Sequence, residues 1–238
     1  MLHMNILVWN EFRTEKNENV KEVYPNGIHA AIAEFLGKET DFKVRTATLD
    51  EENHGLSQEI IDETDVMLWW GHIAHGDVKD EIADMVAEAV LKGMGLIVLH
   101  SGHYCKPFRK LMGTSCSLMW RDEDRERLWC IAPNHPISQG VPLRFELENE
   151  EMYGEIFDIP EPDELIYLGW FKGGEVFRSG CCFNRGYGKV FYFQPGHEEY
   201  PIYYNENIQK IIKNAVRWAK NPIRISKIEC PNPEPLEK

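Results

Sequence analysis

Histidines are the residues of this sequence with the clearest potential for chemistry. Imidazole is the commonest metal ligand in proteins, and it exchanges protons near neutral pH. Three neutral imidazoles and a carboxylate would form an open site for a divalent metal ion, with zinc as the first candidate. Glu151 and Glu155 would share one face if their segment were helical, and both could then face such a site. The histidines at or near the ends of predicted strands or helices are His29, His72, His75, His100, His103, His135 and His197.

Alternating strand and helix patterns position these histidines in the N-terminal part of the chain. Short apolar runs indicate strands, and stretches with apolar residues at helical spacing indicate helices between them. This order predicts a doubly wound α/β fold, and such sheets bind ligands at the carboxyl ends of their strands. Ser57 is a candidate N-cap for one of the helices. The predicted strands are 5–9, 42–49, 66–70 and 96–99, and the predicted helices are 27–36, 57–63 and 79–92.

The second half of the chain is less regular. Residues 120–159 are rich in charge and punctuated by prolines, which predicts a loop-rich insertion with short strands. No linker or internal repeat divides the chain, so we expect a single domain over residues 1–220 and a charged, proline-containing extension over 221–238. After the insertion, the hydropathy pattern predicts strands at 165–170, 174–179 and 189–193 and a helix at 205–218.

Composition and charge exclude several kinds of partner. The formal net charge is −13 and no basic face is visible, so we do not expect nucleic acid binding. No run approaches the ~20 apolar residues needed to cross a bilayer, so we expect no membrane association. The N-terminal residues lack the basic region and cleavage site of a signal peptide, which makes the cytoplasm the default location. The six cysteines form no CxxC pair, which argues against a cysteine zinc finger or a disulfide framework.

One segment, 96–103, resembles the nucleophile elbow of class I glutamine amidotransferases. It reads LIVLHSGH, an apolar strand that runs into a glycine turn. The Gly-His of the amidotransferase motif matches Gly102-His103, and the position of the catalytic cysteine carries His100. A later His-x-Glu of those enzymes matches His197 and Glu199. The resemblance implies an amidotransferase-like fold without glutaminase activity, because the acyl-enzyme route needs a thiolate at position 100.

Six longer blocks carry a second resemblance over nearly the whole chain. They read YPNGIH at 24–29, WWGHIAH at 69–75, LHSGH at 99–103, EEMYGE at 150–155, GEVFRSG at 174–180 and PGHEEY at 195–200. In this order they resemble the ThuA-like (trehalose-utilisation) family. The resemblance implies a flavodoxin-like, mostly parallel sheet with helices on both faces. It also implies a role in the catabolism of trehalose or related disaccharides, including keto-sugar derivatives, and we expect no nucleotide cofactor.

Candidate roles follow from the positions of these residues in the fold. We expect the acid–base groups, the metal ligands and the substrate contacts to meet at the carboxyl end of the sheet. Closely spaced imidazoles should be neutral near pH 7, because like charges disfavour their protonated forms. The candidates are His100, His197 and Glu151 for catalysis, His72, His100 and His197 for a metal, and Trp70, His29 and Arg121 for substrate binding.

Each kind of candidate has a structural alternative. Many histidines are simply hydrogen-bonded core or surface residues, which is our interpretation of His3, His54 and His135, and His103 could buttress the elbow through the backbone. Cys105 lies past the elbow with no matched base, so we do not assign it as a nucleophile. Tryptophans could fill the core or stack on a sugar, and arginines could orient hydroxyls or form surface ion pairs: Trp9, Trp70, Trp120, Arg121 and Arg178.

Two functions therefore remain open from the sequence. One is an enzyme acting on a disaccharide or keto-sugar, of isomerase, lyase or hydrolase type, with histidine and carboxylate groups and with or without a metal. The other is a non-catalytic carbohydrate-binding or interaction module with the same fold. An aromatic-rich C-terminal half and the proline-containing tail predict a homo-oligomer.

Overall fold

The structure is a computed structural model that describes residues 3–227, 229–230 and 232–237. Strands and helices alternate through the N-terminal half, and strands dominate the segment after it. The strands are β1 (Met4–Asn10), β2 (Phe42–Thr48), β3 (Val66–Trp70), β4 (Gly95–Leu99), β5 (Met119–Cys130), β6 (Arg144–Gly154), β7 (Glu164–Phe171), β8 (Val176–Arg185) and β9 (Gly188–Phe193). The α-helices are α1 (Glu18–Val23), α2 (Ile28–Leu36), α3 (Gln58–Glu63), α4 (Asp80–Leu91), α5 (Lys106–Met112) and α6 (Glu206–Ala219).

All these strands form one nine-stranded sheet in the order β2-β1-β3-β4-β9-β8-β7-β5-β6. The pairs from β2 to β9 are parallel, which confirms the predicted doubly wound half. Beyond β9, the pairs among β8, β7, β5 and β6 are antiparallel. Strand β9 therefore joins the parallel half to an antiparallel wing.

The wing contains longer strands than the sequence pattern indicated. Strands β5 and β6 have 12 and 11 residues where we expected short strands in a loop-rich insertion. Most of their residues are exposed or half-buried, and the register shifts between Arg121 and Asp124 and again before Glu126. A solvated face together with these bulges removes the apolar alternation by which strands are recognised. Since Glu151 lies in a strand, it does not share a helical face with Glu155.

Two layers of helices cover the sheet. Helices α2 and α6 pack on one face, and helices α3, α4 and α5 pack on the other. The parallel strands are buried on both faces, with every residue of β3 and β4 buried, as is usual for strands enclosed by helices. This enclosure confirms the predicted α/β architecture and leaves the strand ends as the place for polar groups.

Side-chain caps define two helix starts. Ser57 accepts the backbone N–H of Ile60 at the start of α3, in agreement with its predicted role. Asn205 accepts the N–H groups of Asn207 and Ile208 at the start of α6. No helix in the described residues is long and apolar enough to span a membrane.

The start of the C-terminal extension lies on the surface of its own chain. The Arg224 guanidinium donates to the Ile61 carbonyl oxygen at 2.7 Å and also contacts that of Thr64. The backbone N–H of Ile225 donates to the Lys92 carbonyl oxygen at 2.9 Å. These contacts satisfy carbonyl groups near the ends of α3 and α4, which helices leave unpaired. The extension is therefore an extended arm at its beginning.

Candidate active site

The carboxyl ends of the parallel strands meet at one edge of the sheet. In the register, Asn10 lies beside Trp70, and Trp70 lies beside Leu99. Leu99 in turn lies beside Phe193. The segments after β1, β3, β4 and β9 therefore share the edge at which doubly wound sheets bind ligands. Strand β6 also reaches this edge, because its Glu151 contacts the turn after β4.

His100 occupies the apex of the turn after β4. Its φ of 50° is a left-handed conformation, uncommon for residues other than glycine and typical of a sharp strand-to-helix elbow. Its Nδ1 lies 2.9 Å from the carbonyl oxygen of Gln194, and because a carbonyl only accepts, Nδ1 carries a proton. Its Nε2 lies 3.0 Å from Oε2 of Glu151. The ring stacks on Tyr153 with centroids 5.1 Å apart.

Burial and charge act in opposite directions on this pair. Burial disfavours the charged imidazole, but its close contact with the Glu151 carboxylate and the charges of Glu150 and Glu198 raise the pKa of His100 to about 9. Burial also disfavours the ionised Glu151, yet contact with His100 holds the pKa of this carboxyl below its ordinary value. The expectation that every clustered histidine is neutral near pH 7 is therefore wrong for His100, which forms an ion pair with Glu151.

His72 and Glu198 form a second pair beside the first. His72 Nδ1 lies 2.9 Å from each carboxylate oxygen of Glu198. Burial raises the pKa of Glu198, but the His72 hydrogen bond and the surrounding imidazoles lower it to about 2. A carboxylate on one ring nitrogen fixes the tautomer of a histidine and leaves the other nitrogen for chemistry.

His197 lies between the two pairs and is neutral. Its ring centroid is 5.7 Å from that of His72 and 5.5 Å from that of His100. Burial, followed by the charge of His100, lowers the pKa of His197 to about 4. Its Nδ1 accepts the backbone N–H of Glu199 at 3.2 Å, so the neutral ring carries its proton on Nε2.

Glu198 is a site residue that the sequence analysis missed. The amidotransferase resemblance pointed to Glu199, but that carboxylate contacts the Asn19 side chain at the surface. Glu198 instead reaches His72, and its Oε2 lies 3.8 Å from Nε2 of His197. Two adjacent glutamates follow the histidine, and only the backbone path decides which of them turns inward.

Two further buried carboxylates hold the loops of the site. Glu150 accepts the backbone N–H groups of residues 196 and 197 at 2.8 and 3.1 Å. Glu11 accepts those of residues 73 and 74 at 2.8 and 3.0 Å. Charge-assisted bonds of this kind are stronger than neutral ones. The sequence analysis assigned neither residue to the site, although the position of Glu11 directly after a predicted strand was a usable signal.

Two groups of side chains within the described residues could hold a metal ion. One is His100, Glu151 and His197, and the other is His72, His197 and Glu198. Within each group the donor atoms lie within 4.8 Å of one another. The three predicted metal ligands, His72, His100 and His197, are therefore divided between two groups that share His197, and each group is completed by a carboxylate.

One oxygen in the first group lacks a hydrogen bond. Oε2 of Glu151 is buried and close to Nε2 of His100, yet the contact lacks the alignment of a hydrogen bond. A buried carboxylate oxygen without a partner is unfavourable. The donor set of this group therefore fits a cation that bonds the carboxylate and the imidazoles together.

A cavity of about 620 Å³ opens beside Glu151. His100 and His197 do not line it, so of the three predicted catalytic residues only Glu151 faces this space. Tyr153 joins its inner wall, and its hydroxyl lies 2.6 Å from Oγ of Ser101. The other imidazoles of the lining are His72, His75 and His103.

The predicted sugar-stacking role of Trp70 does not fit the structure. Trp70 is fully buried, and its indole N–H donates to the carbonyl oxygen of Gly196 at 3.1 Å. It offers no face to a sugar and instead supports the loop that carries His197. His29 lies outside the cavity as well, and its Nδ1 lies 3.1 Å from Nδ2 of Asn10.

Arg121 also lies outside the cavity. It pairs with Glu175 at 2.8 Å and with Asp124 at 2.5 Å. Successive residues of a strand point to opposite faces, and the neighbouring Trp120 takes the side of the cavity. Whether Trp120 or Arg121 faces the cavity therefore depends on the register of β5, which the sequence does not reveal.

Of the remaining candidates, His103 has a structural role. Nδ1 of His103 lies 2.7 Å from the carbonyl oxygen of Cys116, so it buttresses the turn as its alternative interpretation proposed. Burial lowers the pKa of His103 to about 3 and that of His75 to about 4. Burial raises the pKa of Cys105, which is incompatible with a reactive thiolate.

The fold and the elbow define the class of the protein. The parallel half of the sheet, in which β4 ends in a sharp elbow and a loop with His197 follows the neighbouring β9, has the fold of the class I glutamine amidotransferase type, here with histidine at the elbow apex. The chain belongs to the ThuA family, described as trehalose utilisation, whose family model matches residues 5–219. No curated protein matches the sequence.

Solved structures support this assignment of the fold. A ThuA-like protein of Parabacteroides merdae superposes with a TM-score of 0.69 at 14% identity, over 95% of this chain and 93% of that chain. A cytoplasmic protein of Salmonella typhimurium LT2 gives 0.60 at 12% identity, over 92% of this chain and 100% of that chain. PurLQS of Thermotoga maritima gives 0.52 at 13% identity, over 92% of this chain and 99% of that chain.

Proposed function

We propose that this chain is a sugar-utilisation enzyme that transfers protons on a carbohydrate bound beside Glu151. The family description supports a sugar-related role. The observation that carries the catalytic part is the buried ion pair of Glu151 and His100, which sits at the elbow and reaches the cavity through Glu151. We place the protein in the cytoplasm, since two similar structures are described as cytoplasmic proteins.

In this proposal Glu151 is the group that touches the substrate. Because its pKa is lowered, it is ionised at neutral pH and able to accept a proton from a hydroxyl or from a carbon next to a carbonyl. His100 is fully buried, so it acts through Glu151 by orienting the carboxylate and balancing its charge. His72 lines the cavity with Nδ1 held by Glu198, which leaves its Nε2 to move a second proton. Such proton transfers serve an isomerase, a lyase or a hydrolase.

We propose further that His100, Glu151 and His197 hold a divalent metal ion, with zinc as the first candidate. Two imidazoles and a carboxylate are a common donor set for zinc, and Oε2 of Glu151, which has no aligned hydrogen bond, supports the proposal. The metal would supply Lewis-acid polarisation of a substrate carbonyl. Metal binding requires two changes: the backbone N–H of Glu199 must leave His197 Nδ1 so that its Nε2 can ligate, and His100, whose Nδ1 is held by the Gln194 carbonyl oxygen, must lose its Nε2 proton. A bound metal would therefore replace the ion pair of His100 and Glu151.

Turnover by matched variants tests the catalytic proposal. The wild-type protein is incubated in D₂O with trehalose, maltose and their keto derivatives, and conversion or deuterium incorporation is followed by NMR. Glu151→Gln should lower the rate about 10²–10⁴-fold, the usual contribution of one acid–base group. Glu148→Gln is the control, because Glu148 lies exposed on the same strand outside the cavity. Equal rates in both variants would contradict the proposal.

Metal analysis tests the cofactor separately. Protein purified without chelator should contain about one metal ion per chain, and His100→Ala and Glu151→Gln should lose it. Glu148→Gln should retain it. Protein that contains no metal and takes up no zinc in solution rejects the metal proposal and leaves the acid–base proposal standing.

A carbohydrate-binding module without catalysis is the second candidate. It is favoured by the burial of His100 and His197, neither of which lines the cavity. Saturable binding of a sugar with no conversion or deuterium incorporation in the same samples would select it over the enzyme.

A further inference from the structure

Strand β6 forms one edge of the nine-stranded sheet, and in the described part of the chain no strand lies on its outer side. Residues 144, 146, 148 and 149 are exposed, whereas Phe145 and Leu147 turn toward the core. The strand contains no proline and no lysine, which often prevent edge strands from pairing. An edge of this kind is a template for a further strand, provided that its charges are matched.

The hydrogen-bond pattern shows which backbone groups of this edge are free. The N–H of Cys130 donates to the carbonyl oxygen of Leu143 at 2.9 Å, and the register with β5 is regular from Arg144 to Leu147. Hydrogen-bonded and non-hydrogen-bonded pairs alternate along antiparallel strands, so residues 143, 145 and 147 bond to β5. The N–H and C=O groups of Arg144 and Glu146 therefore point away from β5, toward the open edge.

The charged side chains of the edge differ in whether they already have partners. Glu146 contacts Arg125 at 3.0 Å and accepts a hydrogen bond from Arg127 at 2.7 Å. Arg144 and Glu148 are both exposed, and neither forms an ion pair with any other described residue. One cation and one anion without partners therefore stand on the exposed side of the strand, on either side of a compensated glutamate.

We infer that β6 pairs antiparallel with β6 of a second copy of this chain, with the two-fold axis at Glu146. Such an axis requires a strand that complements its own reverse. In this register Arg144 faces Glu148 of the partner subunit, so the free charges of both chains are matched. Phe145 faces Leu147 of the partner subunit, which extends the apolar core across the axis. Only Glu146 meets its own copy, and its charge is compensated within each chain.

The opposite edge of the sheet lacks this complementarity. Strand β2 forms that edge and carries Lys43 and Arg45 as exposed cations, with no acidic residue. Self-pairing of β2 would place cations beside one another, which destabilises a strand pair. Pairing of β2 with β6 of a second copy would be heterologous and would leave an edge open for a third chain. The charges therefore favour a closed dimer through β6.

Measurement of the molar mass of the full chain over a range of concentrations, by light scattering and sedimentation, tests the dimer. The wild type should have twice the chain mass of 27.7 kDa. Arg144→Glu and Glu148→Arg each place like charges opposite one another at two symmetric positions, and each should raise the dissociation constant about tenfold or more. The variant with both substitutions regains opposite charges and should dimerise as the wild type does.

Two further variants are matched controls. Arg45→Glu reverses an exposed cation on the other edge strand and should leave the dissociation constant unchanged. Glu148→Gln keeps an oxygen that accepts a hydrogen bond from the partner's Arg144, so it should remain dimeric. All these positions are exposed, so the variants should fold, and circular dichroism checks this.

Hydrogen exchange followed by mass spectrometry provides a second measurement on the strand itself. Peptides that cover residues 143–149 should be protected in the wild-type dimer and should lose protection in Glu148→Arg, because the outward N–H groups return to solvent. Five results would overturn the inference: a monomeric wild type, assemblies that grow without limit with concentration, a single charge reversal on β6 without effect, a double variant no better than the single ones, or weaker association of Arg45→Glu.

Discussion

At position 100 an imidazole stands where the amidotransferase motif that this segment resembles carries a cysteine. The elbow holds the residue at a φ of 50° and buries it completely. A nucleophile needs exposure to its substrate, whereas His100 reaches the cavity only through Glu151. The elbow of this chain therefore presents the Glu151 carboxylate, and not the side chain at its apex, to the cavity.

The two adjacent glutamates after His197 provide a test at single-residue resolution. Glu198→Gln should lower turnover about 10–100-fold, because it removes the charged partner that fixes the tautomer of His72. Glu199→Gln should change turnover little, because Glu199 contacts Asn19 at the surface. Turnover of both variants is measured under the same conditions. A larger loss in Glu199→Gln would restore the arrangement expected from the amidotransferase resemblance.

Glu126 should make stability depend on pH. It is fully buried, and its Oε2 has no hydrogen-bond partner. Burial, and then the charge of Glu150, raises the pKa of Glu126 well above 4.5. Below pH 4.5 both folded and unfolded chains bind the proton; above it the unfolded chain loses the proton first, so stability falls as pH rises. Each pH unit between the two pKa values costs about 1.4 kcal/mol.

Glu126→Gln should therefore be more stable than the wild type at pH 7 to 8, and the difference should shrink toward pH 4. Urea denaturation at several pH values measures it. Glu148→Gln removes one negative charge at an exposed position of β6 and serves as the control. A stability difference for Glu126→Gln that stays constant from pH 4 to pH 8 would rule out the ionisation argument.

The limits of sequence analysis at this scale come from neighbouring residues of the same type. Histidine spacing identified His72, His100 and His197, which the structure places around one point. It chose Glu199 where Glu198 turns inward, because the backbone direction decides which of two adjacent glutamates is buried.

At the scale of secondary-structure elements, the sequence predicted best the bounds of apolar strands that are buried on both faces. Strand β3 has the predicted bounds, since helices cover it on both sides and its residues are all apolar. The bounds of β5 and β6 could not be predicted, because their exposed faces carry mixed charges and bulges interrupt the alternation of apolar and polar residues. What decides their length is pairing with β7 and with each other, a long-range property.

Helix α6 should depend on its side-chain cap. Asn205 accepts two backbone N–H groups at 2.9 and 3.3 Å. Asn205→Ala should lower the free energy of unfolding by about 1 kcal/mol, measured by urea denaturation. Asn17→Ala is a matched control, because Asn17 stands at the N-cap of α1 without a side-chain hydrogen bond. Equal destabilisation by both substitutions would contradict the capping role.

At the scale of the whole molecule, we still predict a homo-oligomer. Phe171 and Tyr203, which contributed to that expectation, fill the core, whereas Trp170 and Tyr204 remain exposed. Light scattering at micromolar concentration should give a multiple of the 27.7 kDa chain mass. A mass of 27.7 kDa alone would make the prediction wrong.

The central position of β9 has a consequence for synthesis of the chain. β9 is the last strand made, yet it pairs with both β4 and β8 in the middle of the sheet. While the ribosome translates residues 100–187, the fully buried strand β4 has no partner on one edge. Apolar edges of this kind promote aggregation. We therefore expect nascent chains to be prone to aggregation until residue 193 emerges, and chains terminated before that residue to be insoluble.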